Sequence, residues 1–220
     1  MKKTILIGVA IASLLAPGVS YANTINGQTA DLYERMNELG VEDTYQDSLV
    51  NLILSGGVPL SNNPDAEPSS STSKLVSGWK EVRSVYADGS VQITKIQQPQ
   101  LVQNRALITG CKVQSGTGYK NYSGCMVDNN TVTTYFGFRA NYGYVVGGRD
   151  AIFSVYDPFV FCYFGSCSEP VLAITKKYED SNGPAVAKLS TVFTLFGGVA
   201  SSTTSISLQV GNDSAKVVVK

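Results

Sequence analysis

The sequence predicts an all-β protein, an antiparallel β-sandwich or jelly-roll-like domain carrying a short N-terminal helical segment. Three observations lead there. From Leu75 onward, turn signals recur roughly every 8–15 residues between segments of alternating polarity, about nine or ten in all. No alternation of strand and helix patterns appears, which argues against a parallel sheet. All four cysteines (Cys111, Cys125, Cys162, Cys167) fall within Arg105 to Tyr178, the most aromatic part of the chain, as staples of a β domain would.

The first 22 residues read as a secretory signal peptide, outside the fold. Lys2 and Lys3 supply a positive start, Ile5 to Leu15 an apolar run, and Ser20-Tyr21-Ala22 the small residues of a cleavage site before Asn23. The apolar run is shorter than the ~20 residues that a membrane span needs, and no later stretch supplies one. The expectation is a secreted protein, periplasmic if the source is Gram-negative, with no transmembrane segment after cleavage.

Residues 23–58 are expected to be helical. Thr29 is a candidate cap for a helix with Leu32, Met36 and Leu39 on one face and Gly40 at its end. Asp43 and Gln46 resemble a capping box, opening a second helix that carries Tyr45, Leu49, Leu52 and Ile53 and stops at Gly56-Gly57. Two such short helices cannot make a core alone. Residues 59–74, centred on Ser61 to Ser73, have two prolines, many serines and little that is apolar, and read as a linker.

Residues 75–220 form the expected β domain. Trp79 to Tyr86 and Val91 to Ile96 flank Ala87-Asp88-Gly89-Ser90, and Asp-Gly is a strong hairpin signal. Arg105 to Val113 and Tyr119 to Val127 pair around a glycine-rich turn, and Asp128-Asn129-Asn130 reads as the next turn. Thr131 to Ala140 alternates best, with Val132, Thr134, Phe136, Phe138 and Ala140 on one face. Asn141 to Asp150 reads as a Gly/Tyr loop, and Phe159 to Phe164 as a buried strand turned by Gly165-Ser166. Val171 to Tyr178, Ala185 to Phe196, Val199 to Val210 and Ala215 to Val219 complete the set. Of the three ways to pair four cysteines, Cys111–Cys125 and Cys162–Cys167 are favoured because each joins the arms of a candidate hairpin.

The residue inventory excludes more chemistry than it suggests. With no histidine, the Ser-His-Asp and Cys-His nucleophile systems, histidine zinc sites and histidine bases are all absent. A carboxylate pair for glycoside hydrolysis would have to come from Asp128, Asp150, Asp157, Glu169, Glu179 and Asp180, several of which sit in turn sequences. Asp128-Asn129-Asn130 and Asp180-Ser181-Asn182 offer oxygens of the kind calcium prefers, but both also suit turns, and no metal site or cofactor is assigned. Removing Lys2 and Lys3 from 17 basic side chains against 17 acidic ones leaves a net charge of −2, so nucleic acid is not an expected partner.

Seven of the twelve tyrosines fall between Tyr119 and Tyr163, and those in the Gly/Asn stretch Asn141-Tyr142-Gly143-Tyr144 are the candidate ligand-binding residues. A loop does not force burial, and exposed tyrosines hold sugar faces or protein partners. Val199 to Leu208, charge-free and rich in Ser and Thr, leaves membrane insertion as an alternative. The stretches Leu49 to Pro64, Trp79 to Ile96, Ile108-Thr109-Gly110-Cys111 and Ser181-Asn182-Gly183-Pro184-Ala185 resemble a group of uncharacterised secreted β-rich proteins of Gram-positive bacteria. That resemblance implies export and a β domain, and carries no activity. The expected function is therefore non-catalytic binding of a cell-surface carbohydrate or protein, with a pore-forming protein and a histidine-free glycosidase as alternatives.

Overall fold

A computed structural model describes residues 20–99, 110–195 and 200–220, with side chains from Gly27 onward. Most of the stretch expected to be a signal peptide, the expected strand start at Arg105 and the expected Gly197-Gly198 turn lie outside the described residues. Two helices, α1 (Ser20–Glu38) and α2 (Asp43–Leu54), precede a 3-10 turn at Leu60–Asn62. Twelve strands follow: β1 (Ser70–Val76), β2 (Trp79–Val85), β3 (Val91–Gln97), β4 (Lys112–Gly116), β5 (Tyr119–Asn130), β6 (Thr134–Val145), β7 (Ala151–Cys162), β8 (Gly165–Cys167), β9 (Val171–Lys176), β10 (Ala185–Leu195), β11 (Ser201–Gly211) and β12 (Ser214–Val219).

The strands form two antiparallel sheets, as the turn spacing predicts. The larger has the order β1-β2-β3-β5-β6-β7, with β4 beside the first half of β5; the smaller runs β12-β11-β10-β8, with β9 also on β10. The sheets face each other across one core. Ile96, Val127, Phe136, Phe138, Ala140, Tyr142 and Ile152 come from one side, and Ala187, Leu189, Ile206, Leu208 and Val210 from the other. This is the alternation the sequence shows, with every second residue of β6, β10 and β11 turned inward.

The helices close one end of the sandwich. Leu32, Met36, Leu49 and Ile53 pack with Val91, Val132, Phe164, Phe193 and Leu195 into a second core. Burying a side chain of that size contributes roughly 1.5–3 kcal/mol, which two short helices in isolation would lack. α1 starts ahead of Thr29, so that residue lies inside the helix and not at its cap; Gly40 (φ 67°) ends it as expected. The residue capping α2 is Glu42, not Asp43, and Gln46 reaches back to the Val41 carbonyl (3.0 Å) and to Asn37 (2.8 Å).

Four sequence expectations change. The stretch 59–74 is ordered at both ends: β1 pairs with β2, and Ser61 and Asn62 are buried. Asn62 donates to the hydroxyls of Thr131 (3.0 Å) and Thr134 (3.3 Å), and Ser61 N–H to Ser90 (2.9 Å), so these polar residues plug the sandwich end. Asp128-Asn129-Asn130 is the last part of β5, flanked by β3 and β6, and is not a turn. Asn141 to Val145 continues β6 and does not form a loop, because the inward alternation runs on past Ala140 through Tyr142. Phe159 to Phe164 belongs in part to the edge strand β7, so Phe161 is 55% exposed.

Both favoured disulfides are present, Cys111–Cys125 and Cys162–Cys167. The first joins the β4 and β5 arms of a hairpin. The second spans the crossing from β7 in the larger sheet to β8 in the smaller, so it staples sheet to sheet and not two arms of one hairpin.

Candidate functional site

Opposite the helices, the sandwich ends in a cleft of about 410 Å³ lined by Gly116, Gly118, Tyr119, Lys120, Tyr122, Tyr144, Val146 and Asp213. Its walls come from the β4–β5 turn, the start of β5, the end of β6 and the β11–β12 turn. A volume of that order suits a small organic ligand.

The tyrosines are placed by register. Tyr122 lies across from Tyr142, and Lys120 across from Tyr144, in alternate cross-strand pairs separated by Asn121 and Gly143. The Tyr122 and Tyr142 rings stack at 4.8 Å, and Tyr144 leans on both at 5.0 and 5.8 Å. Tyr142 is 1% exposed and serves as the floor; Tyr122 and Tyr144 are half-buried, and Tyr119 is exposed at the rim. Burial pushes the Tyr142 and Tyr144 phenols well above the ordinary tyrosine range, with the neighbouring rings adding to it, and burial raises Tyr122 as well. All three stay neutral at physiological pH, and Tyr122 and Tyr144 bring O–H groups and ring faces to the cleft.

A β-bulge sets this geometry. Ser123 and Gly124 together oppose the single residue Asn141, shifting the register between Tyr122 and Cys125. Gly124 adopts φ 71°, a conformation that favours glycine. Asn141 Oδ1 accepts the Gly124 N–H (2.7 Å), and Arg139 donates to the Gly124 carbonyl (2.9 Å), so both main-chain groups released by the bulge are satisfied. Asn141 also donates to Ser154 Oγ (2.8 Å).

The three residues singled out from sequence therefore separate. Tyr144 lines the cleft, Tyr142 lies beneath it, and Asn141 holds the bulge. The expectation of exposed loop tyrosines does not hold for Tyr142. Tyr119, Tyr122, Lys120 and Asp213 went unnoticed as site residues because each read as an ordinary strand or turn position. The one available signal was Tyr-Lys-Asn-Tyr directly after the Gly-Thr-Gly turn.

Two carboxylates beside the cleft, Asp150 and Glu179, are engaged by main chain. Asp150 accepts from Val145 N–H (2.9 Å) and Asp213 N–H (2.8 Å), while Glu179 accepts from Asn212 N–H (2.9 Å) and, at 3.4 Å, from Asp150 N–H. These bonds fasten the β11–β12 turn, where Asn212 and Asp213 both have positive φ. Burial raises the Asp150 carboxyl, partly opposed by the two amides. Asp157 sits at positive φ in β7, and Asp180 accepts from Lys176 (2.6 Å), which holds its carboxyl below the usual range. Among the described residues, no three His, Cys, Asp or Glu side chains cluster as a metal site would need. No helix of the described residues is long and apolar enough to cross a membrane.

No protein-family model matches the chain. No curated protein matches it. Among solved structures, a hypothetical protein of Listeria monocytogenes is similar at 18% identity, over 64% of this chain and 94% of that one, with a TM-score of 0.33. A likeness that weak carries neither fold nor function to this chain.

Proposed function

We propose that the chain is an exported, non-catalytic binding protein that holds a carbohydrate in the tyrosine cleft. The observation that carries this reading is the convergence of Tyr119, Tyr122 and Tyr144 with Lys120 and Asp213 on one open cavity. Ring faces take the C–H faces of a sugar, while neutral phenols, an ammonium and a carboxylate take its hydroxyls. Export is supported by the lysine-led apolar N-terminus and by two disulfides, which persist in oxidising compartments. The absence of histidine, with Asp150 and Glu179 bonded to backbone amides, favours binding over hydrolysis.

The membrane-active alternative has less support. The β10–β11 hairpin contributes Ala187, Leu189, Ile206 and Leu208 to the central core, so its release would open that core to water. The test is retention of residues 23–220 on insoluble cell-wall polysaccharides and on liposomes, side by side. Retention on a polysaccharide that is lost in Tyr119→Ala/Tyr144→Ala supports the proposal. Retention on liposomes alone, or polysaccharide binding indifferent to those substitutions, refutes it.

A further inference from the structure

The two sheets are unequal, and the mismatch leaves a slot beside β12. Cross-strand register puts Leu75, Lys80, Ile96 and Val127 in one row across the larger sheet, and Ser73, Val82 and Thr94 in the next. Ile96 and Val127 are core residues, so both rows lie on the inner face. The smaller sheet ends over β2 and β3, where Ala215, Lys216 and Val217 share a small hollow with Lys80, Val82, Thr94 and Ile96. Beyond that point nothing among the described residues covers β1: all seven of its residues are exposed, and Leu75 is 72% exposed although it sits on the inner face. Neighbouring strands lie about 4.8 Å apart, so the uncovered width beside β12 is about one strand.

The edge of β12 is ready to pair. Lys220 exchanges both main-chain bonds with Ser205, its N–H donating at 2.9 Å. In an antiparallel ladder such pairs recur at every second residue. Val218 and Lys216 therefore turn to β11, while Ala215, Val217 and Val219 turn their N–H and C=O groups to the open side. Among the described residues those groups have no partner. The slot also carries charge: Lys74 and Lys95 share Glu81, but Lys80 has no carboxylate within ion-pair distance among the described residues.

We propose that this slot receives an extended peptide strand of a protein partner, added to β12 as a further strand of the smaller sheet. Its alternate side chains are aliphatic against Leu75, Val82 and Val217, and one is acidic, facing Lys80. Main-chain bonding to an open edge supplies affinity, and the alternating side chains supply selectivity. The site is separate from the tyrosine cleft and independent of its ligand.

The test uses residues 23–220 and a capped synthetic peptide, Thr-Val-Thr-Glu-Thr-Val-Thr-Val, alongside its counterpart with Lys in place of Glu. Amide hydrogen exchange read by NMR is expected to slow at Ala215 and Val217 when the acidic peptide is added, with Val218 unchanged. The Lys peptide is expected to bind about tenfold more weakly, as loss of one favourable charge pair predicts, and Lys80→Glu to reverse that preference. Several results would overturn the proposal: amides 215 and 217 already protected in the free protein, no protection at millimolar peptide, or a preference that Lys80→Glu leaves unchanged. Protection that instead rises with protein concentration, together with mass, would assign the edge to a second copy of the chain and equally reject a peptide partner.

Discussion

Replacing Asp128 by Asn is expected to stabilise the protein at neutral pH, and by an amount that depends on pH. Asp128 stands in the middle of the larger sheet, on the outer face, in the cross-strand row Glu81, Lys95, Asp128, Gly137, Phe159. It is 3% exposed, and its Oδ1 is buried without a hydrogen-bond partner. A side chain at Gly137 would strike both the Phe159 ring and Asp128 Cβ at 2.9 Å, so ring and carboxylate close over the glycine together. Burial raises the Asp128 carboxyl from the usual 3.8 to about 7; Lys95 opposes the rise and Glu81 adds to it.

The sign follows from proton binding. Between about pH 4 and 7 the folded chain holds a proton that the unfolded chain has released, so stability falls as pH rises through that window and levels off above it. The rise from 3.8 to about 7 makes the charged carboxylate cost about 4 kcal/mol at pH 8. Asparagine keeps the shape and cannot ionise. Urea denaturation of both proteins from pH 4.5 to 8, followed by far-UV circular dichroism, should show a stability difference that is small at pH 4.5 and approaches that value at pH 8. Other titrating groups are common to both proteins and cancel in the difference. Parallel stability curves across the whole range would show that Asp128 carries no buried-charge penalty.

Other expectations concern packing and staples. Gly137→Ala drives a Cβ into the Val127 carbonyl and should lower stability by about 2 kcal/mol, seen as a reduced Tm. Met36→Ala empties a fully buried position in the core shared by the helices and the sandwich end; a loss of about 2–5 kcal/mol in the same denaturation assay is expected. Cys111→Ser/Cys125→Ser opens a loop of sequence separation 14 and should cost about 3 kcal/mol, with no change in the far-UV spectrum of the folded state.

Features that depend on neighbours in sequence were legible, and features that depend on neighbours across the sheet were not. The hairpin at Asp88-Gly89 could be read because its turn chemistry is local: Asp88 accepts from the Ser90 N–H (3.0 Å) two residues on. The same carboxylate also accepts from Leu60 N–H (2.8 Å), which ties down a stretch that composition alone marks as a linker. Asp128 and Asn129 resemble a turn until β3 and β6 are placed on either side of them. For the cleft, the alternation Phe136, Phe138, Ala140, Tyr142, Tyr144 was unbroken, and the intervening Asn141 and Gly143 concealed it. Asn141 is needed for the bulge, and Gly143 lies beneath the Phe153 ring. The bulky run Phe159 to Phe164 misleads in the opposite sense, since with no second flanking strand Phe161 and Tyr163 are left exposed.

Carbohydrate binding in the tyrosine cleft is open to a direct measurement. Once retention identifies a polysaccharide, a soluble oligosaccharide of it titrated into ¹⁵N-labelled protein locates the site. Amide shifts confined to residues 116–122, 144–146 and 213, and abolished by Tyr144→Ala, are the predicted result. Shifts centred instead on β7, or binding that survives loss of the Tyr144 ring, would contradict it.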